Sequence, residues 1–333
     1  MKFSAGLLLS FLLLFAPTTW SQPQNTTLPT IRVICLPARP LALVVAQEQK
    51  LFVKYGIDVQ SEVATNSDAL RTGLAERQFD LAHAAVDNGI ALASQTDADI
   101  VTVLGGEGST NELIAQSAIS SVVDLRNQIV IVDALTTAYA IQLKKILLLN
   151  GLSVGTDYQM KVIGGTPLRL AAMREHHEYA ASILGPPASL VAKHDGLVSL
   201  GSSSKWLGLY QGIGGFTHRS WANANRDLLI RYISAFIEAQ RWLHDPTNKS
   251  RIVALLTREY KLSDALAQET YDAWIIAPGG LQPDARVDVA GFLNVLKLRA
   301  EIENTWKGTV PNLEQFYDST FYESALAVVT TKR

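Results

Sequence analysis

The 333-residue chain carries 29 basic and 31 acidic residues and is 48% hydrophobic. So even a charge balance leaves no electrostatic footprint for nucleic acid, and so apolar a chain is not disordered. One cysteine excludes an internal disulfide, so stability must come from burial, for which this length suggests about two compact units.

In chain order, Lys2 is followed by an almost wholly apolar run over residues 7–15, then Pro17 and small residues at Thr19 and Ser21. The pattern predicts a secretory signal peptide over residues 1–21. A membrane span needs about 20 apolar residues, roughly twice this run. The mature chain is expected to start near Gln22 and to act in the periplasm or outside the cell. No lipid anchor is expected, because Cys35 lies well beyond the cleavage point. Losing Lys2 would move the formal charge from -2 to -3. Asn25-Thr26-Thr27 and Asn248-Lys249-Ser250 match the N-glycosylation pattern, which matters only in a eukaryotic source.

Residues 31–36 form a β-branched run that Pro37 and Pro40 end, which reads as a strand feeding a loop. Leu41, Val44, Val45, Phe52 and Tyr55 fall on one helical face, and Gly56 stands where that helix should stop. Strands over 57–64, 79–85 and 100–104 alternate with helices from Ser67 and from Asp87, which implies a parallel sheet covered on both faces. Residues 105–111 are rich in glycine and serine, and the alternation then resumes. Strands at 128–132, 158–163 and 179–184 flank helices at 137–150 and 167–174. After residues 208–216 the chain turns helical, with Leu229, Tyr232, Ile233, Phe236 and Leu243 in one stripe. Two α/β units joined near 105–111 and 208–216 would enclose a cleft, and ligands in such sheets bind beyond the carboxyl ends of the strands.

Leu43 to Val59 resembles the helix pattern A-x-E-x-G-x-F-x-x-x-G-L-x-V of the nitrate, sulfonate and taurine class of solute-binding proteins from ABC importers, with Lys50 standing for the first glycine. Ala69 to Ala84 is similar to A-L-x-x-G-x-x-D-x-A, with Arg77-Gln78 in place of Gly-Glu. Asp124 to Ile131 resembles D-L-K-G-K-x-V-x-V, and Gly185-Pro186-Pro187-Ala188-Ser189-Leu190 resembles x-E-P-x-A-x-L. The segment from Phe316 to Phe321 with Ala325 is family-like too. The resemblance implies an α/β, two-lobed periplasmic-binding-protein type II fold: two doubly wound sheets joined by two crossover segments. Residues 28–109 and 216–333 would form lobe 1 and residues 110–215 lobe 2. It further implies a receptor, not an enzyme, that captures a small organic anion such as a sulfonate or carboxylate by hinge closure. A membrane permease of an ABC importer would be the partner, the receptor a monomer, with no cofactor. A pyrimidine-precursor binding or synthesis protein, or a sensory receptor for a membrane kinase, are the alternatives. Against pyrimidine synthesis, relatives that make that compound use a cysteine- and histidine-rich segment, and this chain has only Cys35.

Candidate ligand-binding residues lie at strand tips. Arg39 and Pro40 follow the first strand, where a guanidinium can grip an anion bidentately or simply sit in water. Asp87 and Asn88 open a helix, which Asp87 would cap unless it faces the ligand. Thr136, Thr137 and Ala138 open another, where hydroxyls and free N–H groups favour an anion. Leu135 and Ala134 make that turn apolar, which favours an organic acid over a bare inorganic anion. Thr110 lies on the first crossover with Glu107 and Ser109, Tyr210 on the second, and Gly185 and Pro186 follow the strand at 179–184. Gly212, Gly214 and Gly215 read as backbone freedom at a hinge. His176-His177-Glu178 reads as a solvated turn and not a metal site, Cys35 as a small buried hydrophobe. No nucleophile elbow, phosphate loop, His-Glu-x-x-His or Cys-x-x-Cys is present.

Overall fold

The β-branched and apolar runs become the strands of two five-stranded sheets. A computed structural model describes residue 1 and residues 27–37, 39–96, 98–108 and 110–331. The expected signal segment, the Asn25 sequon and Ser109 lie outside these. The first unit holds β1 (Thr30–Cys35), α1 (Leu41–Glu48), α2 (Leu51–Lys54), β2 (Asp58–Val63), α3 (Ser67–Ala75), β3 (Leu81–Ala85), α4 (Asp87–Gln95) and β4 (Ile100–Leu104). The second holds β5 (Glu112–Ala115), β6 (Ile129–Val132), α5 (Ala138–Leu149), β7 (Gln159–Val162), α6 (Thr166–Glu175), β8 (Tyr179–Leu184), α7 (Ala188–His194), β9 (Val198–Ser202) and α8 (Ser203–Leu207). The chain returns as β10 (Ile213–His218) and continues through α9 (Arg219–Ala224), α10 (Arg226–His244), α11 (Lys249–Tyr260), α12 (Asp264–Tyr271), α13 (Val289–Ile302) and α14 (Thr320–Thr331).

Strand order is β2-β1-β3-β10-β4 in the first sheet and β7-β6-β8-β5-β9 in the second. This is a periplasmic-binding-protein architecture. Neither sheet is wholly parallel, contrary to expectation: β10 runs antiparallel to β3 and β4, and β5 antiparallel to β8 and β9. In each sheet the reversed strand is the first after a crossover, so it enters from the end opposite to its neighbours. The central strands of both sheets are buried on both faces, while the edge strands β2 and β7 are largely exposed. Ile31 and Val33 point into a core with α1, α10 and α14, while Ile34 packs with Leu70, Leu74 and Phe216 on the other side.

Two further expectations are corrected. The helix expected from Leu41 to Gly56 is two helices, because Lys50 takes a left-handed conformation (φ 55°) between α1 and α2. The tail does not stay with the first unit: Phe292, Val295 and Leu296 of α13 share one buried cluster with Ile141, Leu143 and Ile146 of α5. Asn248 is buried, its amide donating to the Trp242 carbonyl, so its sequon is no free glycan acceptor. Cys35 is fully buried and residues 176–178 are exposed. Among the described residues no helix is long and apolar enough to cross a membrane.

Candidate functional site

The two crossovers run side by side. Gly212 N–H donates to Glu107 O at 3.0 Å, and Glu107 N–H donates to Ile213 O at 3.1 Å. Here the glycines serve close approach and not backbone freedom, since none of Gly212, Gly214 and Gly215 has a positive φ. A Cβ on Gly212 would stand 2.0 Å from the Gly108 carbonyl oxygen, and one on Gly214 2.6 Å from that of Leu104.

A cavity of about 570 Å³ opens against these crossovers, walled by the carboxyl ends of strands in both units and by the tail helices. Its wall includes Asn66, Ser67, Asn88, Glu107, Asp133 and Arg169, with aromatic surface from Tyr139, Phe236, Tyr260 and Trp274. The volume suits a small organic ligand. Ser67 Oγ donates across it to Asp133 at 2.8 Å, and Thr137 Oγ1 donates to the other Asp133 oxygen at 2.6 Å while capping α5.

Of the candidate residues, Arg39, Pro40, Asn88, Thr137, Ala138, Gly185 and Pro186 line the cavity. Arg39 is already engaged, donating to Glu259 of α11 at 2.7 Å, and Tyr260 Oη donates to the Arg39 carbonyl. Asp87, Thr110 and Thr136 do not reach the wall. Asp87 and Arg299 of α13, each 1% exposed, form a two-pronged ion pair at 2.6 and 2.7 Å, and the same guanidinium donates to Thr136 O. Both carboxylate oxygens of Asp87 are thus used structurally, and it pins α13 to α4. Thr110 instead donates to Glu107 at 3.4 Å, and Tyr210 is buried in the second unit's core.

The charged wall residue that matters most was not among the candidates. Arg169 sits in α6, against the carboxyl end of β8, and is fully buried. It donates to Gly164 O at 3.1 Å, Ser182 Oγ at 2.8 Å, Ile183 O at 2.7 Å and Thr166 Oγ1 at 2.9 Å, all neutral. Its guanidinium lies 4.9 Å from the centre of the Tyr139 ring. Among the described residues it forms no ion pair. Burial lowers its pKa, which Asp133 partly opposes from beyond ion-pair distance. Glu107, expected with Thr110 on the first crossover, also lines the wall, and burial raises its carboxyl pKa to about 7, the Thr110 hydroxyl opposing the shift. His83, stacked on Phe236 and bonded to Tyr232 Oη at 2.8 Å, is held neutral by burial, with its pKa lowered to about 3.

Two α/β units, two paired crossovers and one deep cleft between strand tips define a two-lobed binding-protein fold. The chain belongs to the NMT1-like family, whose pattern matches residues 30–257. Among solved structures it resembles the periplasmic nitrate-binding protein NrtA from Synechocystis PCC 6803, with a TM-score of 0.73 and 14% identity over 91% of this chain and 89% of that one. It also resembles the alkanesulfonate-binding protein SsuA from Xanthomonas axonopodis pv. citri, bound to MOPS, with a TM-score of 0.68 and 18% identity over 85% and 94%. The aliphatic sulphonate-binding SsuA from Escherichia coli gives 0.69 and 17% over 88% and 94%. No curated protein matches the chain by sequence.

Proposed function

We propose that this chain is an extracytoplasmic receptor that captures a small organic acid, a carboxylate or sulfonate, between its two units and presents the closed form to the permease of an ABC importer. The observation that carries this reading is Arg169, a fully buried cation at the cavity wall whose hydrogen bonds all go to neutral oxygens. A buried charge whose nearest carboxylate, Asp133, stands beyond ion-pair distance is costly, and an acid entering the cavity would supply a closer counter-charge. The nitrate- and sulfonate-binding proteins of the same fold support the role. Closure would be a hinge motion of the kind periplasmic receptors use, with no bond made or broken. Residues 1–21 would direct export, and the receptor would work as a monomer.

The test is a thermal-shift screen of carboxylates, sulfonates and nitrate. A ligand at a hundredfold its Kd adds about 2.7 kcal/mol, so a clear rise in Tm is expected for an organic acid. Arg169→Gln, with its fold verified by circular dichroism, should lose that rise. Arg39→Ala should keep most of it, because Arg39 is already paired with Glu259. If no acid stabilises the wild type, or folded Arg169→Gln responds as the wild type does, the reading is wrong.

A further inference from the structure

Asp133 is held from both sides of the cleft. One carboxylate oxygen accepts Ser67 Oγ of the first unit at 2.8 Å, and the other accepts Thr137 Oγ1 of its own unit at 2.6 Å. All three residues are buried, Ser67 and Thr137 to 1% exposure and Asp133 to 5%. Ser67 is the first residue of α3 and Thr137 the N-cap of α5, so helices of two different units both begin at this one carboxylate. Helix N-termini favour a negative charge, and Asp133 supplies it from within the chain. The walls also touch between α6 and the loop before α3: a Cβ on Gly165 would stand 3.5 Å from Thr65 O and 3.6 Å from Pro37.

A second bridge between the units lies at the surface. Val191 of α7 packs against the core cluster that holds Tyr271 and Trp274 of the tail, and His194 Nε2 lies 3.0 Å from Glu269 of α12. The two bridges differ in strength. The His194 and Glu269 side chains are 50% and 44% exposed, and water and salt leave an exposed pair worth little. The bond from Ser67 is buried and ends on a charged acceptor, which makes it one of the stronger hydrogen bonds a protein forms. Among the described residues Asp133 has no other hydrogen bond to the first unit.

Building on the hinge closure proposed above, we propose that Asp133 is a built-in latch: the bond from Ser67 holds the two units together from within the chain, so the cleft must unlatch before a ligand enters or leaves. The crossovers and Arg299 form the pivot, and Ser67–Asp133 is the contact that a hinge motion breaks. An internal carboxylate at the start of α3 and α5 thus holds the units by the same dipoles that could otherwise hold a ligand's anion.

Thiol accessibility tests this with no ligand added. Ala42 lines the cavity from α1 and is 1% exposed. In Ala42→Cys, the rate of reaction with a bulky maleimide, followed by peptide mapping, measures how often the cleft opens. Adding Ser67→Ala should raise that rate about tenfold, and adding Glu269→Gln should raise it by less than about twofold. Cys35, fully buried, reports global unfolding in the same samples and should react no faster. Should Ser67→Ala not fold, Asp133→Asn removes the charged acceptor and is expected to speed the reaction in the same direction. The latch is refuted if the latch variant leaves the rate unchanged, if Cys35 speeds up by the same factor, or if Glu269→Gln opens the cleft as much as Ser67→Ala does. It is refuted too if Ala42→Cys alone reacts as fast as a free thiol. None of these results touches the acid reading, which rests on the thermal-shift screen.

Discussion

Lys50, Arg77 and Asn127 hold a left-handed backbone, with φ of 55°, 58° and 62°. Each stands where the family pattern has glycine, so the pattern's glycines mark backbone positions that a Cβ resists. The left-handed region costs a residue with a Cβ about 1–2 kcal/mol, and glycine gives back about 0.5–1 kcal/mol in lost chain entropy. Lys50→Gly and Arg77→Gly should therefore each raise stability by up to about 1 kcal/mol. Asn127→Gly should gain less, because asparagine visits this region readily. Urea midpoints would check this, and a lower midpoint for Lys50→Gly would refute it. Residues of the cavity wall were legible in the sequence where a strand tip announced them, as with Arg39, Asn88 and Thr137. Arg169 was not, because a mid-helix arginine looks solvated until Ser182 and Ile183 of β8 close over it. Glu259 and Tyr260 reach the wall from a helix some two hundred residues beyond the loop they touch.

Between elements, the closest tolerance lies where the crossovers meet. Gly212→Ala would drive a methyl into the Gly108 carbonyl, 2.0 Å away, and should cost on the order of 3 kcal/mol. Gly151→Ala follows α5 at φ 74° with nothing within 4 Å, and should cost only about 1 kcal/mol. Equal losses in chemical denaturation would show that the crossovers yield freely. The same packing explains why β10 was not legible. Gly214 and Gly215 near its start weaken the strand signal, yet it pairs with both β3 and β4 because only glycine lets the chain pass there. By contrast β4 and β8 were readable to the residue, as runs apolar but for Thr102 and Ser182, bounded by polar residues or glycine.

For the whole molecule, two buried groups set opposing pH dependences. His83 is refused a proton until about pH 3, while the unfolded chain takes one up below 6.5, so its effect is to weaken the fold on acidification by up to about 1.4 kcal/mol per pH unit. Glu107 keeps a proton up to about 7 that the unfolded chain releases above 4.5, so it weakens the fold as pH rises through that window. Between 4.5 and 6.5 the two oppose each other. Glu107→Gln should expose the His83 slope, giving a steeper loss of stability on acidification across this range than the wild type. Parallel pH profiles of unfolding free energy would contradict it. α13 ties Asp87 of the first unit to Thr136 of the second through Arg299, so the closure proposed above would have to pivot about that ion pair as well as the crossovers. The alternation of apolar strands and amphipathic helices, local and periodic, was enough by itself to determine two α/β units and the order of most of their elements. Which strand runs backwards, how the tail spans both units and which buried charges go unpaired were decided only in the tertiary structure, because each depends on groups far apart in the chain meeting where water is excluded.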